Sequence, residues 1–252
     1  MITSRSNETI QALRSLLTKK GREQLGYLLL EGSKLIEDAL ESNHTPDFAV
    51  VSPGYNGELL TRLAATGCPI LACSDDVLAS ITDTRSPQGI VARCKLPLPS
   101  VPLSDRCGLW VGLDCLQDPG NLGSVIRSAD ALGASGILLG AGCADPFSPK
   151  VVRSAMGSLF HLPLIASDLA TETSNMQKRD FYIISSCLNG NTKLPSAHKN
   201  TLLLIGNESR GLSSELLALS DYRFKIDMRG NAESLNAAAA CAIMLYALTA
   251  KN

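Results

Sequence analysis

The stretch LWVGLDCLQDPGNLGSVIRSADALGASGILLG, residues 109–140, contains a strand, a helix and a second strand. The runs at 109–113 and 136–140 are apolar nearly throughout, which is typical of parallel strands covered on both faces. Between them, apolar residues mark one side of a helix over 121–132, and Gly133 is placed to end it. This pattern predicts an α/β fold built on a parallel sheet.

The same alternation continues on both sides of this stretch. Towards the C-terminus, further strands are predicted at 162–165, 181–186, 201–205 and 222–227. Towards the N-terminus, the pattern predicts helices at 7–19, 33–42 and 58–66 and strands at 27–31, 48–51 and 70–72. The N-terminal alternation indicates a small α/β layer fold of its own.

A proline-rich segment separates the two regions. The sequence KLPLPSVPLSDR at 95–106 carries three prolines and shows no periodicity, as expected of a linker. We therefore expect a first domain at residues 1–97, a linker at 98–106 and a second domain at 107–252.

The composition excludes several classes of protein. With 45% hydrophobic and 19% charged residues, the chain is an ordinary globular one. Its eight cysteines form no C-x-x-C pair and its three histidines lie far apart, so we expect reduced, mostly buried thiols and no metal site. No signal peptide is visible and the longest apolar run, 237–250, is shorter than a membrane span. We expect a cytoplasmic protein without membrane contact.

Positive charge is concentrated at the N-terminus, although the net charge of the whole chain is −1. Within residues 1–22 the charged side chains sum to +4, from Arg5, Arg14, Lys19, Lys20 and Arg22 against Glu8. Two interpretations remain open at this point: a solvated helix face, or a basic arm that contacts phosphates.

Ligands of open parallel sheets bind beyond the carboxyl ends of the strands, so the loops after the strands are candidate sites. In the loop after 109–113, Asp118 and Pro119 form a turn, Asn121 is placed to cap the helix and Arg127 follows almost two turns later. A capped turn with an exposed arginine explains these residues equally well.

The loop after 201–205 contains the sequence GNESRGL. Gly206 follows the strand directly, and Glu208 is a plausible partner for a ligand amine or hydroxyl. The alternative is an ordinary loop followed by a helix that Ser213 caps.

The stretch DMRGNAESLNAAAACAIMLYAL, residues 227–248, divides into a polar beginning and an apolar helix. A helix that is apolar on all sides is expected to be buried, with its N-terminal N–H groups facing a cleft. Residues 231–234 are placed to cap it, but capping explains one or two polar residues rather than five. The five are Arg229, Asn231, Glu233, Ser234 and Asn236.

Together these loops resemble the SpoU (TrmH-type) RNA ribose 2′-O-methyltransferases of the SPOUT superfamily. The resemblance lies in three motifs: DPGNLGSVIRSADALG, LIGNESRGL and IDMRGNAESLNAAAACAIMLY. DPFSPKVVRSAMGSLFHLP is similar to a further block of that family. QALRSLLTKKGREQLGYLLLEGSKLIEDAL and TRSPQGIVA resemble the ribosomal-protein-like substrate-binding domain that often precedes the catalytic one. Ser209 departs from the second motif, which often has glycine there.

The resemblance implies properties that no pattern in the chain reveals. It implies a catalytic domain with a parallel sheet and a deep trefoil knot, a homodimer formed through that domain, and S-adenosylmethionine as cofactor. The implied cofactor contacts are Gly206, Ile226, Met228 and Leu235. The implied substrate is RNA, with ribosomal RNA favoured over transfer RNA because of the N-terminal domain. The candidate RNA contacts are Arg5, Lys19, Lys20, Arg22 and Arg153.

The implied reaction moves a methyl group from the sulfonium of the cofactor to a ribose 2′-hydroxyl. A neutral Arg127 acting as base at pH 7 would cost roughly 7 to 9 kcal/mol. We expect instead that Arg127 clamps the neighbouring phosphate and stabilises the developing alkoxide. Asn121, Ser234 and Asn236 would orient the hydroxyl, and Glu208 would hold Asn121, the cofactor or the substrate.

Rival functions stay open at this stage. One is a noncatalytic RNA-binding or ribosome assembly factor that kept the fold, and another is a transfer-RNA 2′-O-methyltransferase. A dinucleotide-dependent oxidoreductase is disfavoured because the G-x-G-x-x-G fingerprint is missing.

Overall fold

The computed structural model describes residues 1–84, 86–97, 101–193 and 198–250. The chain divides into two compact units: Met1–Pro97 together with Phe147–Phe160, and Leu98–Pro146 together with His161–Asn252. The first boundary falls where the proline-rich linker was predicted, although part of that linker, 98–100, lies outside the described residues.

In chain order, the α-helices are α1 (Glu8–Ser15), α2 (Lys19–Leu25), α3 (Ser33–Glu41), α4 (Glu58–Ala65), α5 (Asp75–Ala79), α6 (Pro119–Ala131), α7 (Pro149–Ala155), α8 (Leu169–Gln177), α9 (Ser214–Ala218) and α10 (Ala237–Thr249). The strands are β1 (Tyr27–Glu31), β2 (Phe48–Val51), β3 (Ile70–Ala72), β4 (Ile90–Lys95), β5 (Leu109–Leu113), β6 (Gly136–Leu139), β7 (Leu164–Ala166), β8 (Tyr182–Asn191), β9 (Thr201–Ile205) and β10 (Tyr222–Phe224). Single 3-10 turns lie at Leu103–Asp105 and Met156–Phe160.

The first unit contains a four-stranded sheet in the order β1-β4-β2-β3. Strand β4, which the sequence pattern did not predict, runs antiparallel to both of its neighbours, while β2 and β3 are parallel. Apolar residues of α1 and α5, such as Ile10, Leu13 and Val77, pack with Leu29 and Val50 of the sheet. The predicted α/β layer fold is present, with a mixed sheet.

The single helix predicted over 7–19 is wrong, because two helices occupy this region. Helix α1 ends at Ser15, and Thr18 caps α2 by accepting a hydrogen bond from the backbone N–H of Gly21 at 3.1 Å. Gly21 lies directly on the end of α1, where a Cβ atom would be 2.0 Å from the carbonyl oxygen of Ser15. A cap and a glycine at this close approach explain the break.

Residues 147–160 belong to the first unit, although the predicted division placed them in the second domain. Gly157 lies against α3, where a Cβ atom would be 2.6 Å from the Cβ of Asp38. The rings of Phe160 and His44 lie 4.9 Å apart. The predicted second domain is therefore interrupted by a segment that packs elsewhere.

The second unit contains a six-stranded sheet in the order β10-β8-β9-β5-β6-β7. All of its recorded strand pairs are parallel, which confirms the prediction of a parallel sheet. Leu113 pairs with Ile205 on one side and with Leu139 on the other, so β5, β9 and β6 end level with one another. The loops that follow these strands consequently begin at one edge of the sheet.

Two predictions about the C-terminal segment need correction. Strand β10 ends at Phe224 rather than at residue 227, and residues 225–236 form no helix or strand. Helix α10 is not buried on all sides, since Ile243 is 45% exposed and Tyr246 is 65% exposed. Its other side packs on α6. Within the described ranges, no helix is long and apolar enough to cross a membrane.

Candidate active site

The loops after β5 and β9 are joined at the edge where these strands end. The backbone N–H of Asp114 donates to the carbonyl of Ile205 at 2.9 Å, and a carboxylate oxygen of Asp114 accepts from the N–H of Ser213 at 2.8 Å. Ser213 also caps α9, as the alternative interpretation of this loop expected. These bonds fix the beginning and the end of the loop after β9 against the loop after β5.

Helix α6 begins at this edge. Asp118, not Asn121, is its N-cap: the Asp118 carboxylate accepts from the backbone N–H of Asn121 at 2.8 Å, and Pro119 occupies the first turn. The prediction that Asn121 caps the helix is wrong. Because Asp118 performs the capping, the Asn121 side chain is left to bond elsewhere.

Helix α10 begins next to α6. Its N-cap is Asn236, whose side-chain oxygen accepts from the backbone N–H groups of Ala238 at 2.9 Å and Ala239 at 3.3 Å. The predicted cap within residues 231–234 is therefore wrong. The cap bonds fix the orientation of the Asn236 amide, because its oxygen must face the helix and its NH2 group must point away.

Three distant parts of the sequence meet through side-chain hydrogen bonds. Asn236 Nδ2 donates to Asn121 Oδ1 at 2.8 Å, and Asn121 Nδ2 donates to Glu208 Oε1 at 2.9 Å. We call Asn236, Asn121 and Glu208 the amide relay. In each bond of the amide relay, the donor N–H points towards the Glu208 carboxylate. The bonds are therefore aligned with the dipole of α10, whose partial positive charge lies at the helix N-terminus.

Glu208 lies in a closed loop after β9. The backbone groups of Asn207 and Gly211 bond to each other at 3.0 and 2.9 Å, and Gly211 has a φ of 69°. A Cβ atom on Gly206 would lie 2.2 Å from the Gly211 carbonyl carbon, so only glycine fits there. Ser209 has no positive φ, and the departure from glycine at this position is therefore accommodated.

Asn207 is a site residue that the sequence reading missed. Its side-chain oxygen accepts from the N–H groups of Ser209 at 3.0 Å and Arg210 at 3.1 Å, and its NH2 group donates to the Cys115 carbonyl at 2.9 Å. An asparagine directly after an apolar strand is a signal for such a turn. That signal was present in the sequence.

Arg127 and Ser234 do not join the relay. Both side chains are solvent-exposed, and neither makes a hydrogen bond or ion pair with the part of the chain that the structure describes. Arg127 lies on α6, six positions after Asn121, while Ser234 lies two positions before Asn236. Their polar atoms remain available to a ligand.

Three of the four predicted cofactor contacts lie in the segment between β10 and α10, and the fourth, Gly206, is buried directly after β9. Ile226 and Met228 are half-buried and Leu235 is 37% exposed. Considering described residues only, no hydrogen bond involves the backbone of 226–235. Unbonded backbone donors and acceptors beside partly exposed apolar side chains suit a flat, nitrogen-rich ring such as adenine. The residues present therefore fit the implied cofactor.

The five candidate RNA contacts differ in the exposure of their side chains and in the bonds that they make. Arg5, Lys19 and Lys20 are exposed. Arg22 is only 4% exposed and donates from Nη1 to the Leu16 carbonyl at 2.5 Å, which argues against its predicted contact with RNA. Arg153 is half-buried and forms an ion pair with Asp83 at 2.9 Å, which weakens the case for an RNA contact.

The cysteines form no metal ligand set in the described residues. All eight are free, and Cys68, Cys73, Cys94 and Cys241 are buried. Burial raises the pKa of Cys94 and the pKa of Cys241 to about 12 each, so both thiols are neutral at pH 7. Across the same residues, no cluster of His, Cys, Asp and Glu is arranged to hold a metal ion.

Known proteins match both units. The family model described as SpoU rRNA Methylase family covers residues 108–246, and the MRM3-like substrate binding domain covers residues 7–92. A Bacillus subtilis protein named 23S rRNA (guanosine(2553)-2'-O)-methyltransferase RlmP is 34% identical, over 98% of this chain and 98% of the relative.

Solved structures with bound AdoMet are also similar. An AdoMet-bound rRNA methyltransferase from Sinorhizobium meliloti aligns with a TM-score of 0.88 and 32% identity, over 99% of this chain and 97% of that one. The SpoU methyltransferase AviRb from Streptomyces viridochromogenes, in complex with AdoMet, aligns with a TM-score of 0.85 and 31% identity, over 97% of this chain and 98% of that one.

Proposed function

The chain belongs to the SpoU rRNA methylase family, and on that premise we propose that it transfers a methyl group from S-adenosylmethionine to a ribose 2′-hydroxyl of ribosomal RNA. The observation that carries this proposal is the amide relay, which joins Asn121, Glu208 and Asn236 from three distant motifs at 2.8 and 2.9 Å. The bound cofactors of two similar structures support the donor.

Ile226, Met228 and Leu235 would hold the cofactor, together with the backbone of their segment and of Gly206. S-adenosylmethionine supplies the methyl group on its sulfonium. The apolar side chains would exclude water around the donor, and the backbone groups would recognise the polar edge of its base.

Arg127 has the exposed guanidinium that the reaction requires. A ribose hydroxyl is a weak nucleophile that loses its proton as it attacks, so fixed positive charge at the oxygen lowers the barrier. The planar guanidinium can bind the adjacent phosphate through two donors while a further N–H faces the developing alkoxide. Arg127 thus acts as a clamp and an electrostatic stabiliser.

The amide relay limits what its members can do for the substrate. The Asn236 oxygen is used by the helix cap, and one N–H of each asparagine is used within the relay. Each amide therefore has a second N–H to offer. With Ser234 Oγ available as an acceptor, these groups can orient the hydroxyl and its proton, while Glu208 holds Asn121 in place.

Calorimetry followed by a transfer assay tests the proposal. The wild-type chain should bind S-adenosylmethionine and should move its labelled methyl group to ribosomal RNA or a ribosomal particle, where nuclease digestion should yield 2′-O-methyl nucleosides. Absence of binding heat would favour the noncatalytic assembly factor instead. A labelled methyl group on a base would contradict transfer to the ribose. A labelled methyl group on transfer RNA alone would favour the transfer-RNA 2′-O-methyltransferase.

We also propose that the first unit binds the RNA. Its match to a substrate binding domain supports this role, as do the exposed Arg5, Lys19 and Lys20. Phosphate contacts by lysine and arginine make binding salt-dependent. Replacing Lys19 and Lys20 with glutamine should weaken RNA binding and reduce its salt dependence, without changing the affinity for S-adenosylmethionine.

We propose that α10 forms a homodimer with a second copy of the chain. Ile243 and Tyr246 expose apolar surface on the helix that also begins the relay, and the family resemblance implies a dimer through this unit. Tyr246→Glu should yield a monomer in sedimentation velocity. Leu188→Glu, at another exposed apolar residue, is the control. A wild-type chain that sediments as a monomer would contradict the proposal.

The trefoil knot is a further proposal that follows from the family resemblance, and we also propose a cytoplasmic location, where a ribosomal RNA substrate would be found. A crystal structure in which the chain after β9 passes outside every loop would contradict the knot. Fractionation of cells tests the location, because an enzyme of ribosomal RNA should be recovered with the cytoplasmic ribosomal fraction.

A further inference from the structure

Asn207 occupies a junction that none of the candidate roles uses. It follows β9 directly, precedes Glu208 in the chain, and bonds through its side chain to the loop after β5. Its amide makes hydrogen bonds with both of its ends, and the two ends serve different partners.

The oxygen end of the Asn207 amide closes its own loop. It accepts from the backbone N–H groups of Ser209 at 3.0 Å and Arg210 at 3.1 Å. A carboxylate or hydroxyl oxygen at the same place could accept these bonds equally well. The oxygen end is therefore a local structural feature, which other side chains can reproduce.

The nitrogen end of the Asn207 amide reaches outside the loop. It donates to the Cys115 carbonyl at 2.9 Å and lies 3.4 Å from Glu208 Oε2. The other carboxylate oxygen, Oε1, accepts from Asn121 at 2.9 Å. One NH2 group therefore spans from the turn after β5 to the carboxylate that holds Asn121.

We propose that Asn207 is a positioning residue that sets where the Glu208 carboxylate lies relative to Asn121 during methyl transfer. This inference rests on the proposed function. Without the Asn207 donor, the loop after β9 would lose a direct side-chain link to Cys115 and Glu208 Oε2 would lose a donor. Displacing a reacting geometry by about 1 Å can lower a rate by about 10²-fold, even when the displaced group forms no bond to the reacting atoms.

Two substitutions distinguish the role of the oxygen end of the Asn207 amide from that of its nitrogen end. Asn207→Asp keeps an oxygen for the N–H groups of Ser209 and Arg210, but it has no N–H for Cys115 and places a second carboxylate beside Glu208. Asn207→Ala removes both functions. Asn200→Asp is the matched control, since Asn200 lies just before the other end of β9 and accepts from the Gly108 N–H at 3.0 Å.

If Asn207 positions Glu208, both Asn207 variants should lose turnover by about 10²-fold, while their affinity for S-adenosylmethionine stays unchanged. Asn207→Asp should keep the thermal stability of the wild-type chain better than Asn207→Ala does. Wild-type turnover in Asn207→Asp would overturn the inference, because loop closure alone would then suffice. Equal losses of cofactor affinity and turnover would overturn it too, since the loop would then be serving the cofactor.

Heteronuclear NMR provides a readout that requires no RNA. The side-chain NH2 resonances of Asn121 report its bond to Glu208, so they should move in both Asn207 variants and stay in place in Asn200→Asp. Unmoved resonances would overturn the inference. If the wild-type chain methylates no RNA, the proposed function fails, and these resonances still decide whether Asn207 positions Glu208.

Discussion

At the scale of single residues, the candidate site depends on how polar side chains are divided between helix caps and the amide relay. Asn121, Glu208 and Asn236 stand out in the sequence because polar residues interrupt apolar patterns after strands and before a helix. Which of them caps a helix depends on backbone geometry, and here Asp118 and Asn236 do so. Nothing in the sequence reveals that Asn236 and Asn121, 115 positions apart, share a hydrogen bond.

Substitution of Arg127 tests its role as a clamp. Arg127→Lys keeps the charge but loses the planar fork, so kcat/KM should fall by about 10²-fold, with cofactor affinity unchanged. Arg179→Lys, on an arginine that bonds to the Ser104 carbonyl in the same unit, is the control and should be active. If the Arg127→Lys variant folds, binds the cofactor and keeps wild-type turnover, the planar guanidinium of Arg127 is not needed for the reaction.

Alkaline unfolding tests the burial of Cys241, which lies within α10. Burial raises the pKa of this thiol from 9.0 to about 12, so above pH 9 the unfolded chain releases a proton that the folded chain retains. The free energy of unfolding should therefore fall with rising pH by up to about 1.4 kcal/mol per unit for this thiol. Denaturant titrations of Cys241→Ala should show a shallower decline between these pH values. If the free energy of unfolding falls equally with pH in the wild-type chain and in Cys241→Ala, the pKa of the Cys241 thiol is not raised by folding.

At the scale of elements, the strength of the apolar pattern decided what could be predicted. Strands β5 and β9 are buried on both faces and were predicted with their observed bounds. Helix α8 was missed because its sequence, LATETSNMQ, is largely polar and only three of its residues are buried: Leu169, Thr173 and Met176. Strand β4 was missed because its short sequence, IVARCK, contains Arg93 and Lys95 and runs directly into the proline-rich segment, so its apolar pattern is weak.

The cap of α10 should separate stability from activity. Asn236→Ala removes an N-cap, so the free energy of unfolding should fall by about 1 kcal/mol and turnover should also fall. Asn236→Asp still caps the helix and adds negative charge at its N-terminus, so the stability should be kept. Turnover should nevertheless be lost, because a carboxylate has no N–H for Asn121 and repels its oxygen.

Asp168→Ala is a suitable control for this experiment. Asp168 caps α8 through the Thr171 N–H at 2.8 Å and has no part in the relay. Its replacement should lower stability by a similar amount and leave turnover intact. Full activity in Asn236→Asp would mean that the helix cap, and not the bond to Asn121, is what the reaction needs.

At the scale of the whole molecule, the sequence predicted two α/β regions and the parallel sheet of the second, but not every boundary between them. Residues 147–160 pack with the first unit because small and apolar residues such as Gly157 and Phe160 fit against α3 and His44. The meeting of the loops after β5 and β9 follows from the strand order, which places these two strands side by side, while the packing of α10 on α6 brings Asn236 to the same edge. Strand order is set by tertiary packing, and periodicity along one chain does not encode it.

The central claim is that these loops build one centre for methyl transfer to a ribosomal RNA ribose. The most direct test is to map 2′-O-methyl groups in ribosomal RNA from three kinds of cell. These cells express the wild-type protein, the Arg127→Ala variant, or neither. We predict that at least one ribose is methylated with the wild-type chain and unmethylated in the other two. Identical maps from all three cells would contradict the claim.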